Sequence, residues 1–124
     1  RGFDLLCRVP EDFAVYSGDD VSSLALLLQG GHGTISVTAN VAPKLVHEMC
    51  VAVSAGEVTT ARSINAKLLR LHCDLFVEAN PIPVKWAVAQ MGLMETGLRL
   101  PLTGLSAEHH ELVRDAMIQA GIQL

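Results

Sequence analysis

The sequence predicts an α/β fold in which two strand-helix units are followed by a purely helical region. Three observations support this fold class. Two short runs rich in apolar or β-branched residues, 13–16 and 33–38, are each followed by a turn and a helical pattern. From residue 57 onward, apolar residues recur only at helical spacing. Half of the 124 residues are hydrophobic and 18% are charged, a composition typical of chains with a buried core.

The first unit begins with residues 1–8, which have the pattern of a helix end before Pro10. Residues 13–16 then form an apolar run, which predicts a buried strand. The turn after this strand carries Asp19, a typical helix N-cap, and the following helix is expected to stop at Gly30. Three leucines set the spacing of that helix: Leu24, Leu27 and Leu28.

The second unit repeats this order. Residues 33–38 predict a strand with apolar or small side chains on both faces, as in a parallel sheet covered by helices on both sides. Pro43 fits the first turn of the next helix, which is expected to end at Gly56. The inner face of that helix comprises Val46, Met49, Cys50 and Val53.

Three further helices are predicted in the rest of the chain. The first lies within residues 57–76. The second starts with Asn80 as N-cap and Pro81 as its first residue, and Gly92 ends it. Ser106 is expected to cap the last helix, which Gly121 ends. The apolar faces of the first and last of these helices are Ile64, Leu68, Leu71 and Leu75, and Leu112, Val113, Ala116 and Met117, respectively.

Two strands alone make a marginal sheet, and the apolar content exceeds what a two-stranded core needs. We therefore expect strands outside these 124 residues to complete the sheet, and a barrel of eight parallel strands is the simplest host. The lack of an initiator methionine favours residues upstream of Arg1. Residues 1–56 are predicted to be the last βα units of a (β/α)8 barrel, and residues 57–124 a C-terminal helical region. Active sites of such barrels lie at the carboxyl ends of the strands, which fall here near residues 17–19 and 38–40.

Charge and hydropathy argue against two classes of partner. The net charge is −4 and no basic cluster stands out, so a nucleic acid is not expected to bind. No apolar run reaches the roughly 18 residues that span a bilayer, so no membrane association is expected. No signal peptide is visible, and a cytoplasmic location is expected.

The cysteines and histidines do not predict a metal site. Cys7, Cys50 and Cys73 are far apart among apolar residues, and we expect them to be buried free thiols in a reducing compartment. His72 with Cys73, and likewise the adjacent histidine pair 109–110, point about 100° apart on a helix, which does not favour chelation.

Several ordered motifs resemble one family. Residues 16–20 (YSGDD), 30–43 (GGHGTISVTANVAP), 76–85 (FVEANPIPVK) and 99–102 (RLPL) are similar to segments of dihydrodipicolinate synthases, which belong to the pyruvate-dependent class I aldolase superfamily. The resemblance covers essentially the whole chain. It implies the C-terminal portion of a TIM (β/α)8 barrel, with the two strands as strands 7 and 8, followed by a C-terminal three-helix extension.

The resemblance also implies a chemistry. Family members condense pyruvate with aspartate semialdehyde to 4-hydroxy-tetrahydrodipicolinate, on the route to diaminopimelate and lysine, through an imine on a buried lysine. That lysine and the proton relay are expected upstream of this chain. No catalytic residue is therefore expected among the 124, and the fragment alone is predicted to be inactive. Its own lysines, Lys44, Lys67 and Lys85, are predicted to be surface or structural residues.

Two substrate-binding positions follow from the resemblance. Ile35 matches the residue whose backbone meets bound pyruvate, and Gly18 matches a glycine that lines the same pocket. As alternatives, Ile35 is a barrel-core residue and Gly18 a turn glycine. Asp19 and Asp20 form either an acid pair or helix N-terminal charges, and the second interpretation is favoured.

The expected partners follow from the family. They are the two substrates, pyruvate and aspartate semialdehyde, and further copies of the protein in a homotetramer, whose barrel contacts would involve Leu24, Leu28 and Gln29. No cofactor and no metal are expected. Two alternatives remain open: a related pyruvate aldolase (an N-acetylneuraminate lyase or a 2-keto-3-deoxy-sugar aldolase), and a non-catalytic truncated fragment that acts as an interaction module.

Overall fold

A pair of short parallel strands forms the only sheet of the computed structural model, which describes all 124 residues. Tyr16 pairs with Gly33 and Ser17 pairs with Thr34. The elements around the sheet are helix α1 (Gly2–Leu6), strand β1 (Tyr16–Ser17), helix α2 (Ser23–Leu28) and strand β2 (Gly33–Thr34). The parallel strand-helix order predicted from the sequence is therefore present.

The remainder of the chain is helical. A 3-10 helix (Thr38–Asn40) leads into α3 (Pro43–Ser54) and α4 (Val58–Asp74), and these are followed by α5 (Ile82–Gln90), a second 3-10 helix (Ala107–His109) and α6 (His110–Gln119). The four glycines predicted to end helices all adopt positive φ, between 71° and 103°, as is usual just past a helix end. They are Gly30, Gly56, Gly92 and Gly121.

Both strands are shorter than predicted. At residues 13–16 only Tyr16 belongs to β1, because the Phe13 N–H donates to the Pro10 carbonyl in a turn. At residues 33–38 only the first two belong to β2. The chain turns at Val37 and Thr38, whose N–H groups are bound by the Asp20 carboxylate instead of by a neighbouring strand.

The helix starts also differ in detail from the prediction. Ser22, not Asp19, is the N-cap of α2, because Asp19 accepts a hydrogen bond from the Ser22 N–H in the turn before the helix. Pro81, not Asn80, is the N-cap of α5. Ser106 is the N-cap of the second 3-10 helix, which then continues as α6.

The main core lies between the helices. Fourteen buried apolar residues from Val41 to Ala120 form one cluster, centred on the inner faces of α4, α5 and α6. A smaller cluster joins α2 to α3 and α4 and consists of Leu27, Met49, Ala52 and Ala61. Burying a single leucine in such a core stabilises the fold by roughly 1.5–3 kcal/mol.

The cysteine prediction is wrong in part. All three thiols are free, but Cys7 and Cys73 are exposed and Cys50 is half-buried. Cys73 lies beside the apolar stripe of α4 in sequence, yet its position on the helix faces away from the core. No helix combines the length and apolar character that crossing a membrane requires.

Candidate functional site

The carboxyl ends of the two strands bring the predicted substrate-binding positions together. The Ile35 N–H donates to the Ser17 carbonyl over 2.7 Å, and Gly18 follows Ser17 directly. Ile35 and Gly18 therefore lie on adjacent chains at one edge of the sheet, as the parallel order requires. The Ile35 side chain is 71% exposed.

Polar backbone groups at this edge have no partner within the chain. No backbone hydrogen bond uses the Ile35 carbonyl, and none uses the N–H or the carbonyl of Gly18. A Cβ placed on Gly18 would meet no atom within 4 Å, so close packing does not account for the glycine. The edge thus presents one N–H donor and two carbonyl acceptors that a small polar ligand could bind.

The two positions open onto different concavities. Gly18 lines one of about 580 Å³ between β1, α1 and the start of α2. Ile35 lines another of about 410 Å³ between the end of β2 and α5, together with Asn40, Asn80 and Lys85. The structure places Ile35 and Gly18 side by side, but it does not unite them in one closed cavity.

A buried carboxylate lies directly behind this edge. Asp20 is only 2% exposed, and its Oδ2 accepts hydrogen bonds from the N–H groups of Val37 (2.9 Å) and Thr38 (3.1 Å). The two N–H bonds to one carboxylate oxygen offset part of the cost of burying the group. The interpretation of Asp20 as a charge at the N-terminus of α2 is therefore wrong, because its carboxylate binds the turn after β2.

Helix α4 contributes a buried histidine to the same cluster. His72 Nδ1 lies 2.8 Å from Thr38 Oγ1 and 3.9 Å from Asp20 Oδ1. Burial lowers the pKa of His72 below its ordinary value, and the Asp20 carboxylate opposes that shift. The imidazole is thus favoured in its neutral form. Asp20, Thr38 and His72, which we call the buried polar cluster, link both strand-helix units to α4.

Sequence reasoning missed this cluster, although one signal for it was available. His72 lies four residues after Leu68 and three before Leu75, so it shares the apolar face of α4. A single polar residue on an otherwise apolar face needs a buried hydrogen-bond partner. The pattern could have marked His72, but not Thr38, which is 34 residues away.

Asp19 differs from its neighbour Asp20 because it stays at the surface. It binds the hydroxyl and the N–H of Ser22, and these bonds lower its pKa, the hydroxyl having the larger effect. Its contacts stabilise only the local turn before α2.

Comparison with known proteins identifies the family. A family model described as "Dihydrodipicolinate synthetase family" matches residues 2–120. The chain belongs to this family. The resemblance inferred from the sequence motifs is thereby confirmed.

Curated relatives in this family are closely similar to the chain. It is 73% identical over its whole length to a 4-hydroxy-tetrahydrodipicolinate synthase of Nitrosospira multiformis, and 72% identical over 98% of its length to one of Nitrosomonas europaea. The matched segments cover 41% and 42% of those proteins. The chain therefore spans about two fifths of the length of the curated relatives that it matches.

Solved structures of the family have the same fold over this segment. One is a chloride-inhibited dihydrodipicolinate synthase from Acinetobacter baumannii in complex with pyruvate, with 48% identity and a TM-score of 0.94 over 99% of this chain and 42% of that one. Another, from Aquifex aeolicus, has 39% identity and a TM-score of 0.94 over all of this chain and 42% of that one. The chain is therefore an α/β portion of this family's barrel fold.

Of the three lysines, only Lys85 lines the concavity beside Ile35. Lys44 is exposed and lies 3.9 Å from Glu48 on the same helix, and Lys67 is exposed on α4. Lys85 Nζ donates to the Gly97 carbonyl over 2.6 Å and so fixes the connection after α5. These contacts are typical of surface and structural lysines. No group of three or more His, Cys, Asp or Glu residues is arranged to hold a metal ion.

Proposed function

We propose that the chain forms the carboxyl-terminal part of a Schiff-base synthase that condenses pyruvate with aspartate semialdehyde. The product would be 4-hydroxy-tetrahydrodipicolinate, a precursor of diaminopimelate and lysine. Family membership supports this activity, and so does the similarity to an enzyme whose structure was solved with pyruvate.

One structural observation carries the proposal. The Ile35 carbonyl and both backbone groups of Gly18 are unpaired, and the two residues are adjacent at the carboxyl ends of two parallel strands, where barrel enzymes bind substrates. Pyruvate is small and offers only a carboxylate and a ketone. A backbone N–H can donate to either of these acceptors, and a backbone carbonyl can accept from the N–H of the protonated imine that the ketone forms, without any contribution from the isoleucine side chain.

The chemistry requires a lysine beyond these 124 residues. Imine formation on that lysine makes an electron sink, so the pyruvate methyl can lose a proton and attack the aldehyde. Gly18 and Ile35 would orient the bound pyruvate from the carboxyl ends of β1 and β2. Lys44, Lys67 and Lys85 would not form the imine, because each lies on a helix after β2, whereas the family resemblance places the imine lysine before Arg1.

The finer placement in the barrel belongs to the same proposal. Strands β1 and β2 would be strands 7 and 8, residues 1–56 the last βα units, and residues 57–124 a C-terminal extension with three helices. The exposed groups on α2 and just after it, Leu28 and Gln29, are available for contacts between barrels in a homotetramer in the cytoplasm.

A borohydride experiment tests the function. The 13.3 kDa chain is incubated with pyruvate and sodium borohydride, which reduces an imine to a stable amine, and the intact mass is measured. A chimaera is treated in parallel. In it, this chain replaces the matching 41% of the Nitrosospira multiformis synthase, whose remaining part supplies the rest of the barrel.

The proposal predicts one pyruvate adduct on the chimaera, on a lysine outside this chain, and none on the chain alone. The chimaera should also consume aspartate semialdehyde in the presence of pyruvate. A folded chimaera without adduct contradicts the proposal and favours a non-catalytic fragment. An adduct on Lys44, Lys67 or Lys85 contradicts the assignment of the imine to another part of the barrel.

A further inference from the structure

Two sets of hydrogen bonds close a ring at the strand ends. On one side, the Ser17 carbonyl accepts from the Ile35 N–H over 2.7 Å. On the other side, Asp20 Oδ2 accepts from the N–H groups of Val37 and Thr38. The segments 17–20 and 35–38 are thus joined at both ends, over a sequence separation of 17 or 18 residues.

The predicted substrate-binding positions lie within this ring. Gly18 is two residues before Asp20, and Ile35 is two residues before Val37. In each case a short, irregular stretch of backbone joins the position to the residue that makes the Asp20–Val37 hydrogen bond. The Asp20 carboxylate is the only side chain that joins the two segments on the side away from the sheet. Its removal would leave the ring closed only by the strand pairing.

We propose that Asp20 is a positioning residue that holds the backbone of Gly18 and Ile35 in the geometry that binds pyruvate. This inference rests on the proposed function and extends it to a residue that does not touch the substrate. The carboxylate fixes two backbone segments relative to each other, and these segments carry the groups that meet the ligand.

Helix α4 supports Asp20 from behind. Thr38 is completely buried, and its hydroxyl lies 2.8 Å from His72 Nδ1. His72 is 1% exposed, so the cluster is closed to solvent, and its bonds are stronger than they would be in water. The contact of His72 with Thr38 thereby holds the turn after β2 against α4. Because Asp20 binds that turn, the position of the loop that carries Gly18 is held as well.

Substitutions in the chimaera test the proposal. Asp20→Ala removes the acceptor of both N–H groups, Asp20→Asn keeps a weaker neutral acceptor, and Asp19→Ala is the matched control, since Asp19 binds only Ser22. The KM for pyruvate and kcat are measured by initial rates, the imine is trapped with borohydride at saturating pyruvate, and Tm is recorded for each variant.

Asp20→Ala is expected to raise the KM for pyruvate roughly tenfold or more, because displacements near 1 Å at a binding site have large effects. The imine should still form at saturating pyruvate, and kcat should fall less than kcat/KM. Asp20→Asn should lie between Asp20→Ala and the parent. Asp19→Ala should match the parent. A graded KM in the order parent, Asn, Ala would separate positioning from a loss of stability, which Tm reports independently.

Three results would overturn the proposal. The first is a parental KM in folded Asp20→Ala. The second is an equal rise in KM for Asp19→Ala. The third result applies if Asp20→Ala does not fold. In that case a KM for pyruvate in Asp20→Asn equal to that of the parent would assign Asp20 a purely structural role. If the chimaera without substitutions traps no pyruvate, the proposed function itself is overturned. That outcome differs from an active chimaera whose KM for pyruvate does not change in the Asp20 variants.

Discussion

The segment before Val41 and the segment after it bury their apolar side chains to different extents. Every member of the main core lies between Val41 and Ala120. Before Val41, large apolar side chains are mostly at the surface: Phe3, Phe13 and Tyr16 are each more than half exposed, as is Ile35. Among its apolar side chains, Leu27 of α2 belongs to the smaller cluster. The helical segment thus supplies its own core, whereas the strands expose surface that a barrel would cover.

The boundary between the two segments differs from the division predicted from the sequence. Helices α3 and α4 pack against each other across the turn at Gly56, so burial is continuous there. The predicted division between residues 56 and 57 concerns the barrel architecture and stays a prediction. The change from mostly exposed to buried apolar side chains comes near Val41, where the main core begins and the candidate site lies next to it. The site therefore lies at the border between a well-packed region and a sparsely packed one.

The largest expected effect is on the helical core. Leu71 is fully buried, and Leu71→Ala should lower the free energy of unfolding by about 2–5 kcal/mol, because a cavity remains where the side chain was. Leu69→Ala on the same helix is the control, since Leu69 is 44% exposed, and it should cost about 0.5 kcal/mol or less. Urea unfolding followed by circular dichroism at 222 nm measures both. Equal losses would refute the assignment of the core to α4.

The second effect is on self-association through the strand-bearing segment. Phe3 and Tyr16 are 51% and 54% exposed and line the same concavity. A contiguous apolar surface of this kind favours association. The double variant Phe3→Ser with Tyr16→Ser should shift the sedimenting mass of the chain toward 13.3 kDa.

The matched control for self-association is Val51→Ser with Ile118→Ser, two residues of similar exposure (51% and 58%) on separate helices of the packed region. This pair should change the sedimenting mass much less. If both double variants reduce association equally, the contrast between the two segments is not the cause of self-association.

The buried polar cluster, which joins the two segments, should make the free energy of unfolding depend on pH. Burial holds the pKa of His72 below its ordinary value of 6.5, so the unfolded chain binds a proton more readily than the folded one. This favours the folded state above pH 6.5, and the contribution is lost as the pH falls toward the lowered pKa. Unfolding measured between about pH 5 and 7 should show stability that rises with pH.

His72→Gln should flatten that slope, since glutamine does not titrate. His47→Gln is the control, because His47 is exposed on α3 and should leave the slope unchanged. A slope that persists in His72→Gln would mean that another group controls the pH dependence.

Local patterns were sufficient to predict the helices and the parallel order of the two strands. The glycines that end helices, the apolar stripe of α4 and the parallel order of the strands all depend on residues within a few positions of each other. The choice of Gly18 and Ile35 depended instead on the family resemblance, because the strand predicted for residues 33–38 placed Ile35 within the strand and not at its end. The positive φ of Gly56 and the burial of Leu68 confirm the local rules.

The features that were missed depend on distant contacts. The early end of β2 and the burial of Asp20 have one cause, the bonds from Val37 and Thr38 to a carboxylate 17 or 18 residues earlier. His72 reaches Thr38 across 34 residues. Sequence spacing cannot reveal such pairs, because the same aspartate would suit the N-terminus of a helix equally well. The exposure of Cys7 and Cys73 was missed since apolar sequence neighbours do not determine which face of a helix is buried.

The smallest expected effect is at the surface of the helical segment. The Arg114 guanidinium lies 5.8 Å from the Trp86 ring centroid, and the same ring stacks on His110 at 4.8 Å. Exposed cation–π pairs contribute about 0.5–1 kcal/mol, so Arg114→Ala should lower the free energy of unfolding by about that amount. The substitution should cost less in a Trp86→Leu background, where the ring is gone. Equal costs in the two backgrounds, measured by urea unfolding, would show that Arg114 acts through other contacts, such as Glu111 at 3.7 Å.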